Sequence, residues 1–376
     1  MSTYFITGAT GVVGSAVVAA LLAEPQARMR LLIRAPSAAA LSERVRDLLA
    51  FAGGDRDDAG QRVAGVRGDT TQPSFGLDEA DYRALAEECT HVVHIAGLVR
   101  MNLPLDEARA SAVTAMRNVL AFIHACERAG GFSKAELVST VGVGGRWPGA
   151  LPERFIDEPR TFHNTYEHAK AEAEALAAEA VANGARVTVH RPSMVVGDSR
   201  TGRVRSFQVF YHLAEFLSGR RTGGIHPPLD GATVDLVPAD YVAKALVWSS
   251  AQPQTIGRVL HLASGPDGAV PLPALRTLVR DKFGRAGMTL PTIRTLGPGL
   301  LKGLARAASP LLPLAQRRAL STLPIFLDYL AERQLFDNSG TRALLHAAGI
   351  PLPGQRTFLD PVLDYYLAAK HVRETA

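Results

Sequence analysis

The chain of 376 residues is 47% hydrophobic and 20% charged, a balance typical of an ordinary globular protein. Its net charge of +5 favours anionic ligands but is too small and too scattered to indicate nucleic-acid binding. Two cysteines, Cys89 and Cys126, exclude a disulfide framework and have no metal-binding spacing, so we expect a cytoplasmic protein without a metal site. No apolar run reaches the roughly 18 residues of a transmembrane helix, and the N-terminus enters the first strand without a signal peptide.

The first fourteen residues carry the strongest local pattern. An apolar run ends in a glycine-rich turn, and helix-forming residues follow it over 15–22. Gly8 permits the turn, Gly11 leaves room for a pyrophosphate, and Gly14 lets the helix pack closely on the strand. The alternative is a glycine turn that binds no ligand. We predict a dinucleotide site formed by the turn residues Gly8, Thr10, Gly11, Val12, Val13 and Gly14.

The end of the second predicted strand, 29–34, indicates which dinucleotide binds. An acid in this place would bind the ribose 2′-hydroxyl of NAD, whereas a cation suits the 2′-phosphate of NADP. The residue is Arg34, so we predict NADP (NADPH); the alternative is an arginine that stacks on adenine in a site open to either form. After a third strand, Asp69 and Thr70 are predicted to lie near the adenine, although a turn or capping role is as typical of such an Asp.

Strands and helices alternate through the next part of the chain. Helices are predicted over 38–52, 81–88, 109–128 and 166–183, and strands over 63–69, 91–97, 135–140, 186–190 and 258–263. This alternation predicts an α/β fold with a doubly wound parallel sheet of the Rossmann type. Small residues at a strand end let a ligand lie close, so Ala96 and Gly97 join the predicted site. We expect His94 to be a packed strand residue, and 147–160 to be a mobile surface loop.

Three side chains could carry out proton chemistry beside a nicotinamide. Tyr166 and Lys170 are four residues apart, so they lie one turn apart on one helix face. The Lys170 cation would lower the pKa of the Tyr166 phenol, which could then exchange a proton with a carbonyl oxygen. The Ser139 hydroxyl, at a strand end, could hold that oxygen, and Thr140 is a possible substitute for it. We predict Ser139, Tyr166 and Lys170 as the catalytic residues.

Together these pieces resemble an extended short-chain dehydrogenase/reductase. The matching parts are residues 7–14, Ser139, the pair Tyr166 and Lys170, and the stretch 191–193. The resemblance covers residues 1 to about 265. In that family the segment after the sixth strand lines the nicotinamide, which implies Pro192, Ser193 and Val195 as cofactor-binding residues.

A finer resemblance is to the thioester-reductase and fatty-acyl-CoA-reductase branch. It rests on the stretches 68–77, 91–96, 191–202 and 234–242. Members of that branch use NADPH to reduce acyl thioesters to aldehydes, sometimes on to alcohols. This chain departs from the family pattern at Ala112, where an Asn often faces the site, so a proton relay through that Asn is not expected. We expect no carrier or adenylation domain in the chain, so a CoA or carrier-bound thioester would come from outside.

The regular alternation of strands and helices ends after about residue 205. We predict a Rossmann domain over 1–205, completed by about 233–265, and a smaller, mostly helical substrate-binding cap over 206–232 and 266–376. Apolar stretches with scattered cations, 298–306 and 310–320, could line an acyl channel or contact a membrane surface or an acidic carrier. They could equally be cap helices with solvated arginines. The pattern leaves monomer and homodimer open.

Two other functions fit the same residues. One is an NAD(P)-dependent dehydrogenase or epimerase of a hydroxysteroid-like or sugar-nucleotide substrate, in which only the cap would differ. The other is a dinucleotide-binding regulatory protein without turnover, which the presence of Ser139, Tyr166 and Lys170 disfavours. The leading hypothesis remains an NADPH-dependent reductase of an acyl thioester, of the derived aldehyde, or of both.

Overall fold

The structure is a computed structural model that describes residues 1–54, 59–101, 103–297 and 334–375. Its strands are β1 (Ser2–Thr7), β2 (Ala27–Ile33), β3 (Val63–Arg67), β4 (His91–His94), β5 (Lys134–Val138), β6 (Ala150–Leu151), β7 (Val187–Pro192), β8 (Met194–Val196), β9 (Ile225–His226), β10 (Thr233–Val234), β11 (Leu236–Pro238), β12 (Val259–Leu262), β13 (Val270–Pro271), β14 (Arg294–Thr295) and β15 (Leu335–Phe336). The predicted strands are all present, with ends that differ by a few residues.

The α-helices are α1 (Val12–Leu22), α2 (Ala38–Ala52), α3 (Ala59–Arg62), α4 (Glu79–Glu88), α5 (Leu105–Arg109), α6 (Ala115–Ala129), α7 (Thr165–Ala182), α8 (Val209–Ser218), α9 (Ala239–Ser250), α10 (Leu272–Arg285), α11 (Ser339–Ala347) and α12 (Gln355–Thr375). A π-helical turn, Ala110–Thr114, joins α5 to α6. Side-chain caps begin several helices, because an Asn, Asp or Ser oxygen accepts a backbone N–H of the first turn. At α7, for example, Asn164 Oδ1 accepts Glu167 N at 3.0 Å.

Seven parallel strands form the main sheet in the order β12-β7-β5-β4-β1-β2-β3. The chain builds outward from β1 in one direction through β2 and β3, and then returns to add β4 on the other side. The order therefore reverses between β1 and β4, and ligands of such sheets bind outside the carboxyl ends of the strands at that point. The predicted doubly wound Rossmann sheet is confirmed.

Helices cover both faces of this sheet. Neighbouring residues of β1 show the two layers, since Phe5 and Ile6 are both fully buried but pack in different clusters. Ile6 packs in a cluster with side chains of α1 and α9, whereas the Phe5 ring contacts the rings of Phe75 and Phe122. The strands are consequently apolar on both faces, as expected of a buried parallel sheet.

A further apolar cluster, separate from the two that flank the sheet, joins α8, α10 and α12 near the carboxyl end of the sheet. Phe210, Phe283 and Phe358 are buried in it and pack with Val196, which follows the main-sheet strand β7. The short pair β8 and β11 runs parallel between this cluster and the sheet. The division into a Rossmann domain and a cap stays a prediction, and the predicted basic stretches within 298–333 lie outside the described residues.

The prediction of a surface loop over 147–160 is wrong in part. Residues Ala150–Leu151 form β6, which pairs with β15 near the C-terminus, and Leu151 is buried. Glu153 then accepts hydrogen bonds from Gly340 N at 2.9 Å and Thr341 N at 3.1 Å, at the start of α11. This segment is thus tied to distant parts of the chain. Within the described ranges, no helix combines the length and the apolarity needed to cross a bilayer.

Candidate active site

The glycine turn after β1 brings three chain segments into close contact. Gly8 has φ +74°, and a Cβ added there would lie 2.6 Å from Ala96 N, in the segment that follows β4. A Cβ at Gly14 would lie 2.1 Å from the Gly8 carbonyl oxygen. Both positions therefore require glycine, and α1 begins directly against the turn with no acid in its first turn. Such a helix start suits a phosphate group.

A cleft of about 690 Å³ opens at this place, along the carboxyl ends of the parallel strands. All the site residues predicted from the sequence line it except Gly14, which packs against the back of the turn. The lining residues among them are Gly8, Thr10, Gly11, Val12, Val13, Arg34, Asp69, Thr70, Ala96, Gly97, Ser139, Tyr166, Lys170, Pro192, Ser193 and Val195. The fold thus gathers residues from seven separate stretches of sequence into one site.

Two arginines lie at the end of the cleft next to β2. Arg34 is largely exposed, and its Nη1 lies 3.9 Å from Asp69 Oδ2. Arg44, on α2, donates to the Arg34 carbonyl oxygen and approaches Thr10 Oγ1 at 3.5 Å. The sequence analysis missed Arg44, because an arginine on an exposed helix face looks solvated until α2 is placed beside the turn. The pair forms a cationic end to the cleft.

Asp69 has the turn role that the sequence analysis left open. Its Oδ1 accepts both the backbone N and the hydroxyl of Thr71 at 2.9 Å. The Asn118 side chain secures the same loop by donating to the carbonyl oxygens of Thr70 at 2.8 Å and Gln72 at 3.0 Å. Asp69 nevertheless stays on the cleft wall, with its other oxygen towards Arg34.

The phenol of Tyr166 lies on the cleft wall and hydrogen-bonds with the side chain of Thr140. Thr140 Oγ1 also accepts Gly142 N at 3.1 Å, so it is held in place. Ser139 Oγ is buried in the same wall, and no hydrogen-bond partner for it occurs among the described residues. Both hydroxyl-bearing residues therefore line the same cleft as the phenol, and Thr140 is the one bonded to it.

Burial raises the pKa of Tyr166 to about 12, in spite of the hydrogen bond from Thr140. The expected lowering of this pKa by Lys170 is thus wrong for the protein without ligand, because desolvation of the phenolate raises the pKa. The phenol is protonated at neutral pH. Tyr166 is accordingly suited to donate a proton rather than to accept one.

Lys170 is buried one turn along α7 from Tyr166. Its Nζ donates to the Val138 carbonyl oxygen at 3.0 Å. Burial lowers the pKa of Lys170 to about 8, against an opposing effect of the Glu174 carboxylate. The ammonium is therefore still mostly charged near pH 7, and its remaining protons can bind ligand oxygens in the cleft.

His94 is packed in the sheet, as predicted. It is almost fully buried, and its Nδ1 forms a hydrogen bond of 2.8 Å with Thr7 Oγ1. Burial lowers the pKa of His94 to about 3, so the ring is neutral. It contributes to the shape of the β1–β4 junction and not to proton transfer.

Apolar side chains that the sequence analysis did not select also line the cleft. They come from the loop after β4, from α8, from β10 and from β15, and are Leu98, Val99, Met101, Leu103, Val209, Val234 and Phe336. Leu98 and Val99 are both more than two-fifths exposed, at 41% and 46%. The loop is tied to α7, since Thr165 Oγ1 donates to the Leu103 carbonyl oxygen at 2.7 Å. These side chains suit contact with an apolar group.

Comparison with known proteins identifies the family. The family model described as male sterility protein matches residues 6–246, more than half of the chain. The chain belongs to this family. It is an NAD(P)H-dependent oxidoreductase of the extended short-chain dehydrogenase/reductase type, which confirms the resemblance seen in its motifs.

Two proteins that are similar to this chain come from peptide-synthetase systems. The non-canonical nonribosomal peptide synthetase FrzA of Cladobotryum sp is 27% identical over 98% of this chain but 36% of its own length. The chain thus spans about a third of that relative. The terminal R domain of the myxalamid PKS-NRPS pathway is 26% identical, with a TM-score of 0.77 over 98% of this chain and 91% of that one.

An archaeal thiolation-reductase di-domain from a nonribosomal peptide synthetase shares the fold. Its TM-score is 0.75 at 19% identity, and the match covers 98% of this chain and 76% of that chain. The described part of this chain therefore has the overall fold of a reductase domain, and the similarity extends beyond residue 246, where the family match ends.

Proposed function

We propose that this chain is an NADPH-dependent reductase of acyl thioesters, acting on a carrier-bound or CoA-bound acyl group, on the derived aldehyde, or on both. The single observation that carries the proposal is that Tyr166 and Lys170 line the same cleft as the glycine turn, together with a set of apolar side chains. Membership of the family and the similarity to reductase domains support the same reaction class.

The cleft fits a dinucleotide phosphate. Gly8 and Gly14 keep side chains out of the turn, and the start of α1 offers backbone N–H groups to an anion. Arg34 and Arg44 lie where the adenosine ribose of such a ligand would end, which favours a 2′-phosphate over a free hydroxyl. When bound, NADPH supplies the hydride that converts a thioester carbonyl to a hemithioacetal oxyanion.

The residues of the chain perform the proton and positioning steps. Tyr166 donates its proton to the oxyanion, and Thr140 or Ser139 holds that oxygen by a hydrogen bond. Lys170 keeps a positive charge beside the phenolate that remains. Collapse of the hemithioacetal then releases the thiol and the aldehyde, so one NADPH and one proton are consumed for each thioester reduced.

The relatives support a carrier-bound substrate. FrzA is a peptide synthetase, and the archaeal structure joins a thiolation domain to a reductase domain. We propose that this chain likewise receives its acyl group on a phosphopantetheine thiol that another domain or protein carries. The apolar residues that line the cleft, Leu98 and Val99 among them, would then contact the acyl group.

The cofactor proposal predicts a change in selectivity. Replacing Arg34 and Arg44 together by alanine should weaken NADPH binding by about 10–100-fold, because two charged hydrogen bonds to the 2′-phosphate are lost. The affinity for NADH should not change. Arg83→Ala is the matched control, because Arg83 has the same 67% side-chain exposure as Arg34 but lies on α4 and pairs with Glu79. Fluorescence titration of both nucleotides measures the result, and equal losses for NADPH and NADH would contradict the assignment.

Substrate panels test the reaction itself. We expect purified protein to oxidise NADPH in the presence of acyl-pantetheine or acyl-CoA thioesters with an apolar acyl group, and mass spectrometry should find the free thiol and an aldehyde or alcohol. Turnover of aldehydes alone would make the chain a carbonyl reductase. No turnover of either, with turnover of hydroxysteroids or sugar nucleotides, would replace the proposal by the dehydrogenase or epimerase alternative.

A further inference from the structure

A buried carboxylate lies on the cleft wall and has no part in the steps above. Asp235, between β10 and β11, is 8% exposed and is among the residues that line the cleft. Its Oδ1 accepts Ser264 N at 2.7 Å, and its Oδ2 accepts Gly265 N at 3.0 Å. Burial of a carboxylate costs free energy unless hydrogen bonds compensate for the lost hydration. The hydrogen bonds of Asp235 are therefore expected to contribute to the fold or to the site.

The same carboxylate faces the wall segment that follows β7. Ser193 is buried on the cleft wall beside it, and its hydroxyl acts to lower the pKa of Asp235. The main chain makes the direct link, because Met194 N donates to the Asp235 carbonyl oxygen at 3.2 Å. Residue 235 therefore holds the wall segment 192–195 through its backbone, while its carboxylate holds the turn 263–265.

On its other side, Asp235 is fixed by a turn that the C-terminal part of the chain holds in place. Gly265 has φ +77°, and a Cβ there would lie 2.3 Å from Asn338 Oδ1. Asn338 Nδ2 donates to the Ala263 carbonyl oxygen at 2.6 Å, and Gln355 Nε2 donates to Ser264 Oγ at 2.6 Å. The turn 263–265 is thus a rigid support behind Asp235.

We propose that Asp235 is a positioning residue for the nicotinamide end of the cofactor site. It braces the wall segment 192–195 against the turn 263–265, so that the wall keeps the shape against which the nicotinamide ring rests. The inference rests on the cofactor placement proposed above. Burial raises the pKa of Asp235 to about 6, which leaves the group mostly ionised at neutral pH and able to accept its two backbone donors, Ser264 N and Gly265 N.

The test compares two ligands that share only the adenosine end. NADPH reaches both ends of the cleft, whereas 2′,5′-ADP carries the 2′-phosphate but has no nicotinamide. We expect Asp235→Asn to weaken NADPH binding by about tenfold, the loss of one charge-assisted hydrogen-bond set. Binding of 2′,5′-ADP should be unchanged. General damage to the fold would weaken both ligands, so an equal loss would overturn the inference.

Asp240→Asn is the matched control. Asp240, at the start of α9, accepts hydrogen bonds from Ser199 N and Ser199 Oγ at 2.8 Å each and from Lys244 Nζ at 3.3 Å, but it does not line the cleft. We expect it to leave both affinities unchanged. The same NADPH-specific loss in this control would show a structural effect of the region and overturn the inference.

A second variant keeps the inference testable if Asp235→Asn does not fold. Gln355→Ala, which releases the turn 263–265 by removing the hydrogen bond to Ser264 Oγ, should show the same ligand-specific loss, and the Asp235→Asn/Gln355→Ala double variant should lose less than the sum of the two single effects. Full additivity would contradict the bracing. Wild-type protein that binds neither ligand would remove the proposed cofactor site itself, whereas binding of both without the ligand-specific loss would remove only the role of Asp235.

Discussion

Tyr166→Phe should lower the rate of thioester reduction by about 10²–10⁴-fold, the range that one positioned general acid contributes. The phenol is the proton donor in the proposed reaction, and its raised pKa of about 12 keeps the proton available at neutral pH. The ring itself stays in place, so the affinity for NADPH should not change. Steady-state kinetics together with a fluorescence titration of NADPH measure the two quantities separately.

The control for this variant is Tyr82→Phe. Tyr82 packs against Phe75 and Phe122 in the layer of helices on one face of the sheet and does not line the cleft. Removal of the Tyr82 hydroxyl should leave the rate of thioester reduction unchanged. Full activity of Tyr166→Phe would show that another group donates the proton. A parallel loss of NADPH affinity would show that Tyr166 contributes to cofactor binding.

Arg191→Met should lower the free energy of unfolding by about 3–5 kcal/mol, the cost of leaving one partner of a buried ion pair alone. The Arg191 side chain is fully buried, and its Nε lies 3.1 Å from both carboxylate oxygens of Glu174. Its Nη2 also donates to the Arg154 carbonyl oxygen at 2.9 Å, and its Nη1 lies 3.0 Å from His261 Nε2. The guanidinium thus joins α7, the sheet and the segment that carries β6.

Chemical denaturation measures this effect, and two further variants interpret it. Arg191→Met/Glu174→Gln should recover part of the loss, because no buried charge is then left unpaired. Arg109→Ala breaks a bidentate but partly exposed pair with Glu172, at 2.8 and 2.6 Å, and should cost at most about 1 kcal/mol. If the two single arginine variants were equally destabilising, burial would not be the cause.

The parts of the site that the sequence predicts depend on local patterns. The turn from Gly8 to Gly14 and the pair Tyr166 and Lys170 each lie within one strand-turn-helix unit or one helix face, where spacing alone sets the geometry. The bounds of α2 were predicted correctly for the same reason, since a Ser cap and a terminal glycine mark its ends. The parallel sheet follows from the alternation of such units.

The parts that were missed depend on contacts between distant segments. Arg44 joins the cleft only because α2 lies beside the glycine turn, and Asp235 because two short strands, β8 and β11, run side by side. The Pro-rich stretch around β6 has the composition of a loop, yet its strand partner lies far along the chain at β15. No local periodicity carries that information.

The pKa of Tyr166 shows the same limit for electrostatics. A lysine four residues away on a helix predicts a lowered pKa from charge alone, whereas the structure shows that burial of the phenol dominates. The extent of burial is a property of the assembled cleft. The sequence therefore predicted that Tyr166 and Lys170 lie in one site, but not the direction in which burial shifts the pKa of Tyr166.

The most direct test of the proposed thioester reduction is a single measurement of isotope transfer. The protein would be incubated with an apolar acyl-pantetheine thioester and NADPH deuterated at the reactive C4 position, and the products would be analysed by mass spectrometry. We predict release of the free thiol together with an aldehyde that carries one deuterium, or an alcohol that carries two. Intact thioester with deuterium found only in a product of added aldehyde would contradict thioester reduction.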